Sequence, residues 1–144
     1  MEDSFEIFLV CAPGLEASLA AEAKEQGFGP LRVAAGGLAF DGRWNDVWRA
    51  NLHLRGAGRV LARIGGFPAV HLAQLDKRAR KFDWAAHLRP DVPVKVEAVS
   101  LKSKVYHEGA ICERIERAIT EELGAPIGEG GVRLLVRIEQ NLLT

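Results

Sequence analysis

Cysteine is scarce in this chain. Only Cys11 and Cys112 occur among 144 residues, and neither stands at a metal-ligand spacing. A reduced, cytoplasmic setting is the expectation. Long apolar runs are also missing, and nothing approaches the ~18 residues that a membrane helix needs. The opening MEDSFEIFLV lacks the basic start and extended apolar core of a signal peptide. The four histidines, His53, His71, His87 and His107, form no HxxxH or HExxH pattern, so no metal site is expected. Gly128-Glu-Gly-Gly131 has no Lys-Ser/Thr after it and reads as a loop, not a phosphate-binding P-loop. Cys11 precedes Pro13-Gly14, where a helix start would activate a thiolate. No histidine stands at a partner's spacing, and a buried strand cysteine is expected instead.

Net charge is absent as well, with 19 Lys+Arg against 19 Asp+Glu. The distribution is uneven. Residues 1–50 carry four basic and eight acidic side chains, residues 51–107 eleven and four, residues 108–144 four and seven. A neutral total therefore hides a basic centre, and a polyanion meets the local field, not the sum. The composition, 48% hydrophobic and 26% charged, is that of a globular protein.

The apolar pattern gives the elements. Phe5–Cys11 reads as a buried strand, and Leu15–Gln26 as a helix with Leu15, Leu19, Ala20 and Ala23 on one face. Leu31–Ala35 and Leu38–Asp41 flank Gly36-Gly37 as a hairpin. Asn45 is the expected cap of a helix carrying Val47, Trp48 and Leu52, and Arg59–Ile64 is a strand. The order β-α-β-β-α-β is that of a split βαβ, ferredoxin-like unit over residues 1–66. Residues 67–144 make a second α/β unit. It holds a helix His71–Lys81 with Leu72 and Leu75 inward, an anchor at Phe82-Asp83-Trp84, and an alternating strand Val92–Val99. A helix Glu108–Leu123 striped by Ile111, Ile115, Ala118, Ile119 and Leu123 and a strand Val132–Ile138 complete it. Leu142 and Leu143 read as the start of another core strand, implying that a longer chain was cut or that a partner strand is missing. The fold class is α+β.

Three stretches carry a resemblance. Leu52-His-Leu-Arg-Gly-Ala-Gly-Arg-Val-Leu-Ala-Arg63, Phe82-Asp-Trp84 and Lys102–Thr120 resemble the N-terminal region of bacterial ribosomal-RNA guanine-N2 methyltransferases. That region holds a ferredoxin-like unit followed by a THUMP domain, an RNA-binding module. The resemblance spans essentially the whole chain. It implies that residues 67–144 are a THUMP-like domain lacking its last strands. It also implies capture of structured RNA, a 23S ribosomal RNA presenting a guanine, for a C-terminal methyltransferase domain in cis. S-adenosylmethionine is implied for that parent protein and no cofactor for this chain. The family's S-adenosylmethionine glycine motif and Asn-Pro-Pro-Tyr motif do not occur here, so this chain is expected to be non-catalytic.

The candidate RNA-binding residues are Lys102, Ser103, Lys104, Tyr106, Arg114, Lys77, Arg78, Arg80 and Lys81. Lys102-Ser103-Lys104 precede the helix at Glu108, whose first amides lack intrahelical partners. Amides, a hydroxyl and two cations suit a phosphate. The plainer reading makes Ser103 a helix cap and the lysines solvated. Tyr106 offers a ring for a splayed base or serves as a half-buried anchor. Arg114 and Arg117 extend the cationic track or pair locally, with Glu113 at the favourable i,i+4 distance from Arg117. Lys77, Arg78, Arg80 and Lys81 suit the negative end of their helix and lie where positive charge is greatest. Arg55, Arg59 and Arg63 more readily pair with acidic residues of the first unit. A rival reading is a protein-interaction or dimerisation module, with an exposed strand edge at Leu142-Leu143.

Overall fold

A computed structural model describes residues 4–144. Residues 1–3, where the expected first unit begins, lie outside the described residues. The α+β class expected from the sequence is the one observed. The chain separates into two compact units, ending and beginning at Ile64 and Gly65.

The first unit runs β1 (Phe5–Val10), α1 (Glu16–Glu25), β2 (Arg32–Ala34), β3 (Gly37–Gly42), α2 (Trp44–His53) and β4 (Arg59–Arg63). Its antiparallel sheet has the order β2-β3-β1-β4. Strand alternation sends Ile7, Leu9, Leu38 and Phe40 to one side, where they bury against Leu19, Ala23, Val47 and Ala50 of the helices. Each such side chain contributes about 1.5–3 kcal/mol by leaving water. The register Glu6↔Asp41 and Glu6↔Arg63, then Phe8↔Ala39 and Phe8↔Leu61, then Val10↔Gly37 and Val10↔Arg59, places the alternate residues on the opposite side of the sheet.

Two local expectations need correction here. Asn45 is not the cap of α2. Arg43 stands at the cap position, and its backbone N–H donates to Asp46 Oδ2 at 3.0 Å, so the helix starts one residue before Asn45. Trp48 and Leu52, grouped with Val47 by spacing, face solvent at 67% and 78% exposure. Only the Val47 and Ala50 side of α2 meets the sheet.

The second unit contains β5 (Phe67–Pro68), α3 (Leu72–Lys81), a 3-10 turn at Trp84–Ala86, β6 (Val94–Leu101), α4 (Glu108–Glu122), β7 (Val132–Glu139) and β8 (Leu142–Leu143). The sheet order is β5-β8-β7-β6. β6 and β7 pair in parallel from Val94↔Val132 to Leu101↔Glu139. Parallel neighbours need a crossover, and α4 supplies it. Ile111, Ile115, Ala118 and Ile119 are fully buried, as their i, i+4, i+7, i+8 spacing requires. Trp84 anchors the end of α3 by donating its indole N–H to the Ala79 carbonyl at 2.8 Å.

The expected edge at Leu142-Leu143 is overturned. β8 sits between β5 and β7, pairing Phe67↔Leu143 and Ile138↔Leu143, and Leu143 is 5% exposed. Gln140 and Asn141 adopt φ of 50° and 64°, the left-handed pair that a two-residue hairpin needs. That turn folds Leu142-Leu143 back onto β7.

Candidate nucleic-acid interface

The loop between β6 and α4 is held by one residue of the β7–β8 turn. Asn141 Oδ1 accepts the Lys104 backbone N–H at 2.9 Å, and the Asn141 N–H donates to Ser103 Oγ at 3.1 Å. The Asn141 carbonyl accepts the Ala69 N–H at 2.8 Å, which ties in the lead to α3. Ser103 Oγ also donates to the Leu101 carbonyl at 2.8 Å. Ser103 therefore closes the loop and does not cap α4, contrary to the plainer reading. The cap is His107, whose Nδ1 accepts the Ala110 N–H at 3.0 Å. His71 caps α3 in the same way, accepting from Gln74 at 3.1 Å.

The two helices run in parallel. Asp76 of α3 meets Arg114 of α4, and farther along Arg80 meets Glu121. Both N-termini thus lie at the Asn141 end, where unpartnered amides and the helix dipoles favour an anion. Lys102 and Lys104 are exposed beside them, and Tyr106 is 79% exposed. Lys102 has φ 45°, an uncommon left-handed geometry for a side-chain-bearing residue. It turns the chain out of β6. Glu108, the acidic residue in the first turn of α4, accepts the Ser100 N–H at 3.3 Å.

The structure sorts the remaining candidates. Lys77 and Lys81 are exposed, one turn apart on the side of α3 turned from Leu75 and Ala79. Lys81 lies about 14 Å along the helix from its first residue. Among the described residues neither lysine, nor Lys102 or Lys104, enters an ion pair. Arg78 donates to the Pro68 carbonyl. Arg80 binds Asp76 Oδ2 at 3.1 Å and Glu121, which hold its guanidinium pKa above the ordinary value, Glu121 contributing most. Arg114 stands 3.6 Å from Asp76 Oδ1. Asp76 thus gathers two of the proposed RNA-binding arginines into a clamp between α3 and α4. Arg117 pairs with Glu113 at 2.8 Å, the i,i+4 pairing expected from sequence. Arg63 binds Glu6 of the first unit, and Arg55 and Gly56 give their N–H groups to Glu22.

The sequence reading missed Asn141, Asp76 and both histidine caps. Signals existed for some of them. His71 precedes Gln74 by three residues, the spacing of a capping box, although Gln74 Oε1 accepts the N–H of Val70, one residue before the cap, at 2.9 Å.

Residues 6–61 match the RlmL ferredoxin-like domain. The chain thus resembles the N-terminal region of bacterial large-subunit ribosomal RNA methyltransferases, as the sequence motifs implied. It is 31% identical over 131 residues to "Ribosomal RNA large subunit methyltransferase K/L" of Pseudomonas syringae pv. tomato, 90% of this chain and 17% of that protein. Identity to the protein of the same name from Stutzerimonas stutzeri is 33% over 131 residues, 90% of this chain and 18% of that one. The chain spans under a fifth of these curated relatives. Among solved structures, a predicted N6-adenine-specific DNA methylase from Listeria monocytogenes superposes with TM-score 0.84. It is 28% identical and covers 98% of this chain and 39% of its own. The putative methyltransferase SMU.472, solved with SAH, gives TM-score 0.83 at 27% identity, covering 99% and 41%.

Proposed function

We propose that this chain is the RNA-capturing part of an S-adenosylmethionine-dependent ribosomal RNA guanine-N2 methyltransferase. Residues 67–144 act as a THUMP-like module, and methyl transfer occurs in a C-terminal domain outside this chain, in the cytoplasm. The observation that carries the reading is the Asn141-pinned loop. It presents Lys102, Lys104 and Tyr106 beside two parallel helix N-termini. Lysines neutralise phosphates, the ring of Tyr106 stacks on an unpaired base, and Lys77 and Lys81 continue the cationic track along α3. Arg78, Arg80 and Arg114 support this surface more than they contact RNA, because Arg78 donates to the Pro68 carbonyl, Arg80 binds Asp76 and Glu121, and Arg114 faces the Asp76 carboxylate. Specificity comes from shape and unpaired nucleotides, since the deep groove of A-form RNA is closed to side chains.

The residues here do not fit S-adenosylmethionine. Loop 128–131 is bridged by Lys95–Glu129 at 2.9 Å and leads into a strand, β7, not into a helix N-terminus. No step is therefore assigned to that cofactor in this chain.

A second reading, a protein-interaction module, is favoured by Trp48 and Leu52, which are exposed one turn apart on α2. Fluorescence anisotropy with a ribosomal RNA fragment separates the two. Binding that is tight at low salt and collapses at moderate salt supports RNA capture. Absence of RNA binding at every salt concentration, with self-association lost in Trp48→Ala, supports the second reading.

A further inference from the structure

The first unit has a sheet face that the proposed RNA site does not use. α1 and α2 cover one side of β2-β3-β1-β4, and the other side carries no helix of this unit. Its rim is exposed: the side chains of Asp41, Arg32 and Arg63 are 63%, 50% and 42% exposed. At the centre stands Phe8 of β1, half-buried and flanked in register by buried Ala39 and half-buried Leu61. The ring leans over Gly37. A Cβ at that glycine would meet the ring atoms at 2.8 and 2.9 Å, so Phe8 lies along the sheet instead of standing off it.

Charge is graded across this face. At one end Glu6 is shared by Arg63 and Arg32, and Arg32 also binds Asp41 at 3.1 Å. Acid and base offset each other there. At the other end Arg59 is exposed beside Val10 and Gly37, and among the described residues no carboxylate pairs with it. An apolar ring with one unpaired guanidinium two residues along the neighbouring strand matches one nucleotide, with the base on the ring and the phosphate on the cation. Four-stranded βαββαβ sheets that bind RNA use an aromatic side chain on the central strand in this way.

We infer that the helix-free face of this sheet is a second RNA contact, which holds a single-stranded segment by stacking a base on Phe8 and pairing its phosphate with Arg59. The inference rests on the RNA-capture reading and assigns it a further substrate feature, an unpaired strand reaching the first unit.

The test uses the full chain with a mixed-sequence single-stranded 12-mer RNA and a blunt hairpin RNA. Variants are Phe8→Leu, Phe8→Trp, Arg59→Gln and the pair Lys102→Gln/Lys104→Gln. Phe8→Leu should weaken 12-mer binding about five- to a hundredfold, the range for loss of one stacked base, and Phe8→Trp should retain it. Arg59→Gln should lower the salt slope by about one. Arg59 is exposed, so this variant decides the matter even where Phe8→Leu perturbs the fold. If only Lys102→Gln/Lys104→Gln lowers 12-mer binding, the sheet proposal is overturned and RNA capture stands. The sheet proposal is equally overturned if Phe8→Leu and Arg59→Gln affect the hairpin alone. If wild type binds neither RNA, both readings fall.

Discussion

Asn141 holds Lys104 in place through a side-chain oxygen that accepts the lysine's own backbone amide at 2.9 Å. A turn residue of β7–β8 thereby sets the position of a loop that precedes it by 37 residues in sequence. Replacing Asn141 with Gly keeps the left-handed backbone accessible and removes the acceptor. The expected cost is about 0.5–1.5 kcal/mol. Hydrogen exchange at the Lys104 amide should accelerate, and RNA affinity should fall although no cation has been removed. Unchanged exchange at Lys104 would show that the bond does not order the loop.

Asp76 supplies the complementary case. It faces both Arg80 and Arg114, and its Oδ1 is buried with no hydrogen-bond partner. Asp76→Asn should destabilise the chain by about 1 kcal/mol, the upper range for partly exposed pairs, as read by urea denaturation. RNA affinity should hold or rise, because Arg114 loses its carboxylate partner while Arg80 keeps Glu121. A drop in affinity matching that of the lysine variants would place the α3–α4 clamp within the interface itself.

The first unit carries a pH dependence of known sign. Glu16 accepts N–H groups from Gly36 and Gly14, and Glu22 from Gly56 and Arg55. Backbone amides, for Glu16 its own first and then those of Gly36 and Gly14, and for Glu22 those of Gly56 and Arg55, hold both carboxyl pKa values below the ordinary carboxylate value. A depressed folded-state pKa means stability that is complete above the unfolded-state value and lost as pH falls through the folded one. Acid titration of thermal stability should therefore show wild type losing its advantage over Glu22→Gln as pH drops below the usual carboxylate range. An advantage that persists in acid would contradict the assignment.

Capping gives a further measurement. His107→Ala should cost about 0.5–2 kcal/mol, and His107→Asn, a better cap residue, should restore it. Equal stability of the Ala variant and wild type would show that the Nδ1 contact to Ala110 contributes nothing.

These results also mark what the sequence could and could not convey. α4 was readable because Ile111, Ile115 and Ile119 repeat at a helical period and every one of them is buried. The βαββαβ unit was readable because its strands are short apolar runs broken by glycine pairs. β5, two residues long, carries too little periodicity to register, whereas the apolar pair Leu142-Leu143 was enough to read β8 as the start of a strand. They exist because the Gln140-Asn141 turn and the Ala69–Asn141 bond bring them together. The lysines of the candidate site could be listed from charge alone. Arg114 looked equivalent to them, since nothing local announces that Asp76 lies opposite it, while the i,i+4 spacing of Asp76 and Arg80 was a local signal that the charge count passed over. Serine is the commoner cap, so Ser103 drew that reading. The helix begins instead at His107, four residues later in the chain.

The central claim is that Lys102 and Lys104 neutralise RNA phosphates at the loop held by Asn141. The direct measurement is the slope of log binding constant against log salt concentration for the wild type and for Lys102→Gln/Lys104→Gln, with a ribosomal RNA fragment. The account predicts weaker binding in the variant and a slope reduced by about two, one for each lysine. An unchanged affinity and slope would contradict it.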